Sequence, residues 1–284
     1  MWEAFLFLLF AHVIGDFYFQ WNKMCQDKFK KGWCSSYLAA HAVIIFFVTA
    51  FVLFDIKFWF VACLLSLSHF FIDGLKSWTE KKKINNKVIH GSDNELYIFL
   101  IDQLLHVVII YFAARVLIKH GWECPEFLDK LNLKTLVFVL MLFVCGTPAN
   151  ILTRELLITF HIMKNGDKSV DEPQIGRIIG VIERCLIVFF MFVNQFAAIG
   201  FIITAKSILR FKDLTPPHNV STKGKQKATV HMVTDNSEYV LIGTFMSISI
   251  AVICGFMIMI AGNPSMLTDE GLKEASTIFN TIFK

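Results

Sequence analysis

Residues 66–76 read SLSHFFIDGLK. They lie within an apolar run, residues 58–78, that is long enough to cross a bilayer, yet they carry His69 and Asp73. Four positions apart on an α-helix, these side chains share one face at about 5–6 Å. An Asp near the middle of a membrane helix costs roughly 2.5–3.5 kcal/mol on insertion scales, so such a group faces a partner, a cavity or an ion and not lipid. Two other runs repeat the arrangement, with His12 and Asp16 in residues 2–20 and Asp102 and His106 in residues 96–118.

The surrounding composition fixes the solvent. The chain has 284 residues, 55% hydrophobic and 18% charged, which excludes an ordinary soluble domain. Its apolar runs reach the ~20 residues that a helix needs to cross a ~30 Å hydrocarbon core, and they are continuous, unlike the alternating strands of a membrane barrel. The expected fold class is therefore all-α, a polytopic transmembrane helix bundle of about seven spans. The first run begins Met1-Trp2-Glu3 without a basic leader, so it is expected to be a retained helix. The cysteines are scattered without a C-x-x-C pair, which argues against a disulfide framework or a thiolate zinc site. A net charge of +4 spread over loops bears on orientation, and no nucleic-acid partner is expected.

Span limits follow from the same pattern. Runs are expected at residues 2–20, 37–54, 58–78 and 96–118, then 135–160, which contains Gly146 and Pro148 and should be kinked or broken. Residues 176–211 are too long for one span and are expected to turn back at Asn194-Gln195, and the last span is 239–261. Two basic loops, one with Lys23, Lys28, Lys30 and Lys31 and one with Lys81, Lys82, Lys83 and Lys87, are placed on the cytoplasmic side with the N-terminus outside. The expected organisation is a four-helix unit at 1–118, a C-terminal unit at 135–262 and an amphipathic tail at 263–284.

In that topology the order of each pair follows the direction of its helix. His precedes Asp in the two inward-running spans, and Asp102 precedes His106 in the outward-running one, so each Asp lies nearer the cytoplasm with its His one turn deeper. His41 enters the same layer from the second span. Imidazoles and carboxylates without thiolates suit zinc, manganese or iron, and the set His12, Asp16, His41, His69, Asp73, Asp102 and His106 exceeds what one tetrahedral ion needs. The expected cofactor is thus a pair of divalent ions about 3.5–4 Å apart, an arrangement suited to cleaving phosphoesters. Asp16, Asp73 and Asp102 are the candidate catalytic carboxylates. Gln20, Ser68 and Gln103 are candidates to orient the ligands, and Lys76 is a candidate to hold a substrate anion. A lone histidine in a membrane helix is most often a hydrogen-bonded packing residue. Three matched pairs ordered by helix direction form a donor set.

The motifs HVIGDFYFQ at residues 12–20, HFFIDGLK at 69–76 and DQLLH at 102–106 resemble those of a bacterial membrane family known only as a domain of unknown function, itself similar to predicted inner-membrane metal-dependent hydrolases. The resemblance implies a metal site at His12, Asp16, His69, Asp73, Asp102 and His106 and a multi-pass location in the bacterial inner membrane. Longer members of that family resemble this chain further, at residues 176–184, 205–207 and 238–244. In this half Gly176 and Gly180 form a small-residue face suited to helix packing, and Arg177, Arg184, Lys206 and Arg210 are candidates to seat a lipid phosphate. Snorkelling and Glu–Arg pairing at span ends is the competing reading of those cations.

The expected function is hydrolysis of a phosphoester, in a membrane lipid or lipid-linked substrate, at the cytoplasmic side. A divalent-cation or proton transporter would use the same residues but needs a polar path to the outer face, and residues 5–10 and 109–112 are apolar. A scaffold with a structural metal is the third class.

Overall fold

The computed structural model describes residues 1–85, 94–125, 131–160, 174–214 and 226–263. Every regular element among them is a helix: α1 (Trp2–Phe17), α2 (Asn22–Lys31), α3 (Ser36–Leu53), α4 (Trp59–Asn85), α5 (Asn94–Lys119), α6 (Leu133–Val144), α7 (Thr147–Thr159), α8 (Gln174–Phe192), α9 (Phe196–Leu214) and α10 (Gln226–Gly262), with 3-10 turns at Gly32–Cys34 and Ile56–Phe58. The expected amphipathic tail and Lys87 lie outside the described residues.

Among the described residues four helical stretches are long and apolar enough to cross a membrane: Ser36–Leu53, Ile56–Thr79, Leu96–Lys119 and Leu241–Gly262. Counting α6 and α7 as one bent span makes five, against the expected seven or so. Apolar α1 has 16 residues, short of the ~20 of a straight span. The break expected in residues 135–160 is present as a 52° bend between α6 and α7. Its cause is local. Pro148 stands in the first turn of α7, where its missing N–H costs nothing. A Cβ on Gly146 would run into the Tyr18 hydroxyl, which donates to the Phe143 carbonyl at 2.7 Å.

The chain divides into two compact units, Met1–Gly166 and Asp167–Lys284. They part well beyond the compositional break at residues 119–134, because α6 packs on α1 and α7 packs on α5 and α1. In the first unit α1, α3, α4 and α5 enclose an apolar core that includes Leu8, Leu53, Val61, Leu65, Ile110 and Leu117 and ends at Trp122. The Trp122 indole donates to the Leu53 carbonyl at 3.3 Å and its ring meets Phe7 edge-on, so the interhelix space is filled at that end.

The basic stretch expected as a loop after the first span is instead α2. Met24 and Lys28, one turn apart on this helix, are both buried against the bundle, whereas Lys23, Lys30, Lys31 and Trp21 are exposed. Its lysines therefore read as an amphipathic helix with one inward-pointing charge.

In the second unit α8 packs on α10 and α9 through Ile187, Met191, Ile199 and Ala251. Gly255 lets Met191 lie directly on α10. The long run expected at residues 176–211 is broken at 193–195, with Asn194 in the left-handed region at φ 59. α10 begins at Gln226, well before the expected start of the last span at residue 239.

Candidate metal centre

Each expected ligand is carried by one of four helices of the first unit: His12 and Asp16 on α1, His41 on α3, His69 and Asp73 on α4, and Asp102 and His106 on α5. All seven are buried, and His41 is completely enclosed at 0% exposure. Two glycines beside the carboxylates allow this closeness. A Cβ on Gly15 would lie 2.5 Å from Ile45 Cδ1, so α1 and α3 approach closely next to Asp16 and His41. Gly74 likewise receives the face of Trp33 beside Asp73.

Four donors converge in one group. His41 Nε2 stands 3.0 Å from His69 Nε2 and 3.3 Å from Asp16 Oδ1, and His69 Nε2 stands 3.6 Å from the same oxygen. Asp73 Oδ2 is 3.8 Å from both imidazole nitrogens. A tetrahedral zinc with ~2.0–2.1 Å bonds places its ligand atoms about 3.3 Å apart, and these spacings bracket that value. Asp16, His41, His69 and Asp73 can thus hold an ion, and Asp73, Asp102 and His106 form a second such group with donor atoms within 4.8 Å of one another.

The hydrogen bonds around His106 fit a ligand role. Its Nδ1 lies 2.8 Å from the backbone carbonyl of Asp102, and since a carbonyl only accepts, Nδ1 carries the proton. Nε2 is left as a buried lone pair without a hydrogen-bond partner, and His41 Nδ1 and Asp102 Oδ1 likewise have no hydrogen bond among the described buried groups. A ligating histidine typically donates its other N–H to such a carbonyl, which fixes the ring and raises its basicity. Unmet buried polar atoms are costly, so a donor set that leaves His106 Nε2 and Asp102 Oδ1 open fits a cation.

His12 belongs to neither donor group. It stacks on the His106 ring at 4.9 Å between centroids, and its Nε2 lies 3.3 Å from Gln103 Oε1. The Gln103 amide donates to Asp16 Oδ2 at 3.1 Å and to Asp102 Oδ2 at 3.3 Å, joining α1 to α5. Gln20, in the amide orientation that satisfies both of its ends, donates to the Asp16 carbonyl at 3.3 Å and accepts from Lys28 at 2.6 Å. Ser68 does not touch a ligand through its hydroxyl, which donates to the Leu65 carbonyl of its own helix at 2.8 Å.

Lys76 is ion-paired with Asp102 Oδ2 at 2.8 Å. Lys28, not anticipated from sequence, pairs with Asp73 Oδ2 at 2.5 Å and is 5% exposed. The signal that could have found it is the i,i+4 spacing of Met24 and Lys28 within a charged stretch. Three carboxylates therefore face two ammoniums, and with neutral imidazoles one negative charge is left over.

The cationic candidates of the C-terminal half lie in the other unit. There Arg184 is buried and donates to Ser247 at 2.7 Å, Lys206 is paired with Glu183, and Arg177 is exposed. The side chain of Arg210 lies outside the described residues. Gly176 has no close neighbour among the described residues.

Fold and site together define a helical bundle of membrane-spanning character with a buried Asp/His cluster able to bind metal. Residues 4–135 match the model of a family described as "Protein of unknown function (DUF3307)", and the matched stretch contains every residue of the cluster. The chain is similar to that family over this part. No curated protein and no solved structure matches it.

Proposed function

We propose that the protein is a membrane-embedded, metal-dependent hydrolase acting on a phosphoester, in a membrane lipid or a lipid-linked substrate, at the cytoplasmic face of a bacterial inner membrane. The observation that carries the reading is the convergence of His41, His69, Asp16 and Asp73 from three helices beside an imidazole, His106, whose Nε2 is held open by its backbone bond. The nitrogen and oxygen donors suit zinc, manganese or iron. Such an ion supplies Lewis-acid polarisation of an ester oxygen and neutralises charge that develops there.

The residues around it divide the remaining work. Asp102 Oδ1 has no hydrogen-bond partner among the described residues and would take a proton from water, while Oδ2 is held by Lys76. Lys76 is half-buried, and its ammonium is the group positioned to meet a substrate phosphate. Gln103 keeps Asp16 and Asp102 in register.

A cation transporter built on the same cluster is the competing class. Its path would have to leave the cluster through Leu8, Ile45, Leu65, Ile109 and Ile110, which with His12, Thr49, Ser68, His69 and His106 line a cavity of about 20 Å3, room for roughly one water. Beyond it lies the apolar core that ends at Trp122. That filled core favours the enzyme.

The test combines elemental analysis of the detergent-purified protein with hydrolysis of a chromogenic phosphodiester and a phosphomonoester. The wild type should contain zinc, manganese or iron and cleave at least one of the two, and His69→Ala should lose both properties. Metal-driven cation uptake into proteoliposomes without hydrolysis would replace this function with transport.

A further inference from the structure

We propose that the centre holds one tightly bound divalent ion and not two, because Lys28 supplies the positive charge that a second ion would bring. This rests on the metal-centre reading above. The two donor groups meet at Asp73, yet they differ in the cations already present. In the first, the Asp16 carboxylate faces the His41 and His69 imidazoles and the Gln103 amide. Lys28 holds at 2.5 Å the same Asp73 Oδ2 that lies 3.8 Å from both imidazoles, so the first group keeps three donors that face no ammonium, Asp16, His41 and His69. In the second Asp102 is also paired, with Lys76 at 2.8 Å, and His106 alone is left.

Lys28 reaches this position by design of the fold. It comes from α2, which contributes none of the expected ligands, and its ammonium is gripped by Asp73 and, from the other side, by Gln20. A buried ammonium so held is a resident cation on the carboxylate that two ions would have to share.

Charge decides between one ion and two. With both lysines in place, the carboxylates leave one negative charge, so a single divalent ion takes the buried cluster to one positive charge. A second would take it to three, in a region where charges are weakly screened. The first group therefore fills through Asp16, His41 and His69, and the Asp73–Asp102–His106 group, open only at His106 Nε2 and Asp102 Oδ1, takes a second ion weakly while Lys28 remains on Asp73.

The test is a zinc count on full-length protein in detergent, stripped with chelator, titrated with zinc against a colorimetric indicator and re-analysed after gel filtration. Wild type should retain one zinc per chain, with any second zinc bound about a hundredfold more weakly or worse. Lys28→Met should retain two, and Lys28→Arg should retain one. Two tightly held ions in wild type, or an unchanged count in folded Lys28→Met, overturns the inference and leaves the metal centre standing. Zinc no higher than in a His41→Ala/His69→Ala control overturns the metal centre itself. If Lys28→Met fails to give a folded peak, the wild-type count still decides, and Lys76→Met gives a second arm. Its second zinc should tighten at least about tenfold, and no change counts against the inference.

Discussion

Replacing Asp73 with Asn strands the ammonium of Lys28. The pair is nearly closed to solvent, with side-chain exposures of 6% for Lys28 and 9% for Asp73, so little water can replace the lost partner. Breaking one side of a buried ion pair costs about 3–5 kcal/mol, and the Gln20 carbonyl, still 2.6 Å from the ammonium, keeps the expected loss near the lower limit at about 3 kcal/mol. Lys28→Met should cost a similar amount in chelator, because Asp73 then faces only the His41 and His69 imidazoles at 3.8 Å. In the double variant neither charge is left, and the loss should be no larger than either single loss, a coupling of at least about 3 kcal/mol. For a unit of this size 1 kcal/mol moves the melting temperature by about 2–4 °C, so each single change should lower it by roughly 6–12 °C. Tryptophan fluorescence melts of the four proteins, in detergent with chelator, measure this directly. Two single shifts that simply add in the double variant would show that Lys28 and Asp73 do not interact, and the burial of α2 would need another cause.

Other outcomes follow from the same geometry. His12→Phe should keep the wild-type metal content while His69→Phe loses it, since only His69 belongs to a donor group, and elemental analysis of the pair checks this. Gln103→Leu should weaken metal affinity about 10–100-fold by releasing Asp16 and Asp102, as read by competition with a zinc indicator. Gly74→Val should lower the melting temperature or abolish folding, because the new side chain falls on the Trp33 ring, and a detergent melt distinguishes it from a harmless change. On α2, the Lys31 ammonium at 2.7 Å and the Ser35 hydroxyl hold the Asp27 carboxyl below the usual carboxylate range. A depressed folded-state value adds stability above the unfolded-state value and loses it on acidification, so the melting difference between wild type and Asp27→Asn should begin to shrink below about pH 4 and vanish only as pH falls through the lower folded-state value.

Much of the cluster was legible because its signal is local. An i,i+4 pair such as His69 and Asp73 shares a face on any helix, and the reversed order of Asp102 and His106 places both in a common layer once helix direction is alternated. The break at Gly146 and Pro148 and the one at Asn194 were visible for the same reason, since each is written in backbone chemistry. What sequence concealed is tertiary. Lys28 lies 45 positions from Asp73, and a run of lysines signals a solvated loop unless the Met24–Lys28 spacing is weighed against it. The side chain of His12 fits the motif yet turns to stack on His106, and the Ser68 hydroxyl turns back to its own helix, choices made by packing and not by spacing. The chain after residue 119 looks like a linker, and only the packing of α6 and α7 on α1 and α5 shows that they belong with the helices before it.

The core that ends at Trp122 bears on the energetics of the host membrane. A bundle that buries three acids and four imidazoles in a bilayer is a natural wire for protons, and a wire open at both ends would discharge the gradient that powers the cell. Fifteen side chains, all apolar or indole, insulate one end. In a bilayer such a plug would keep the titratable groups from bridging the two aqueous phases, which a proton-flux assay on proteoliposomes reads directly.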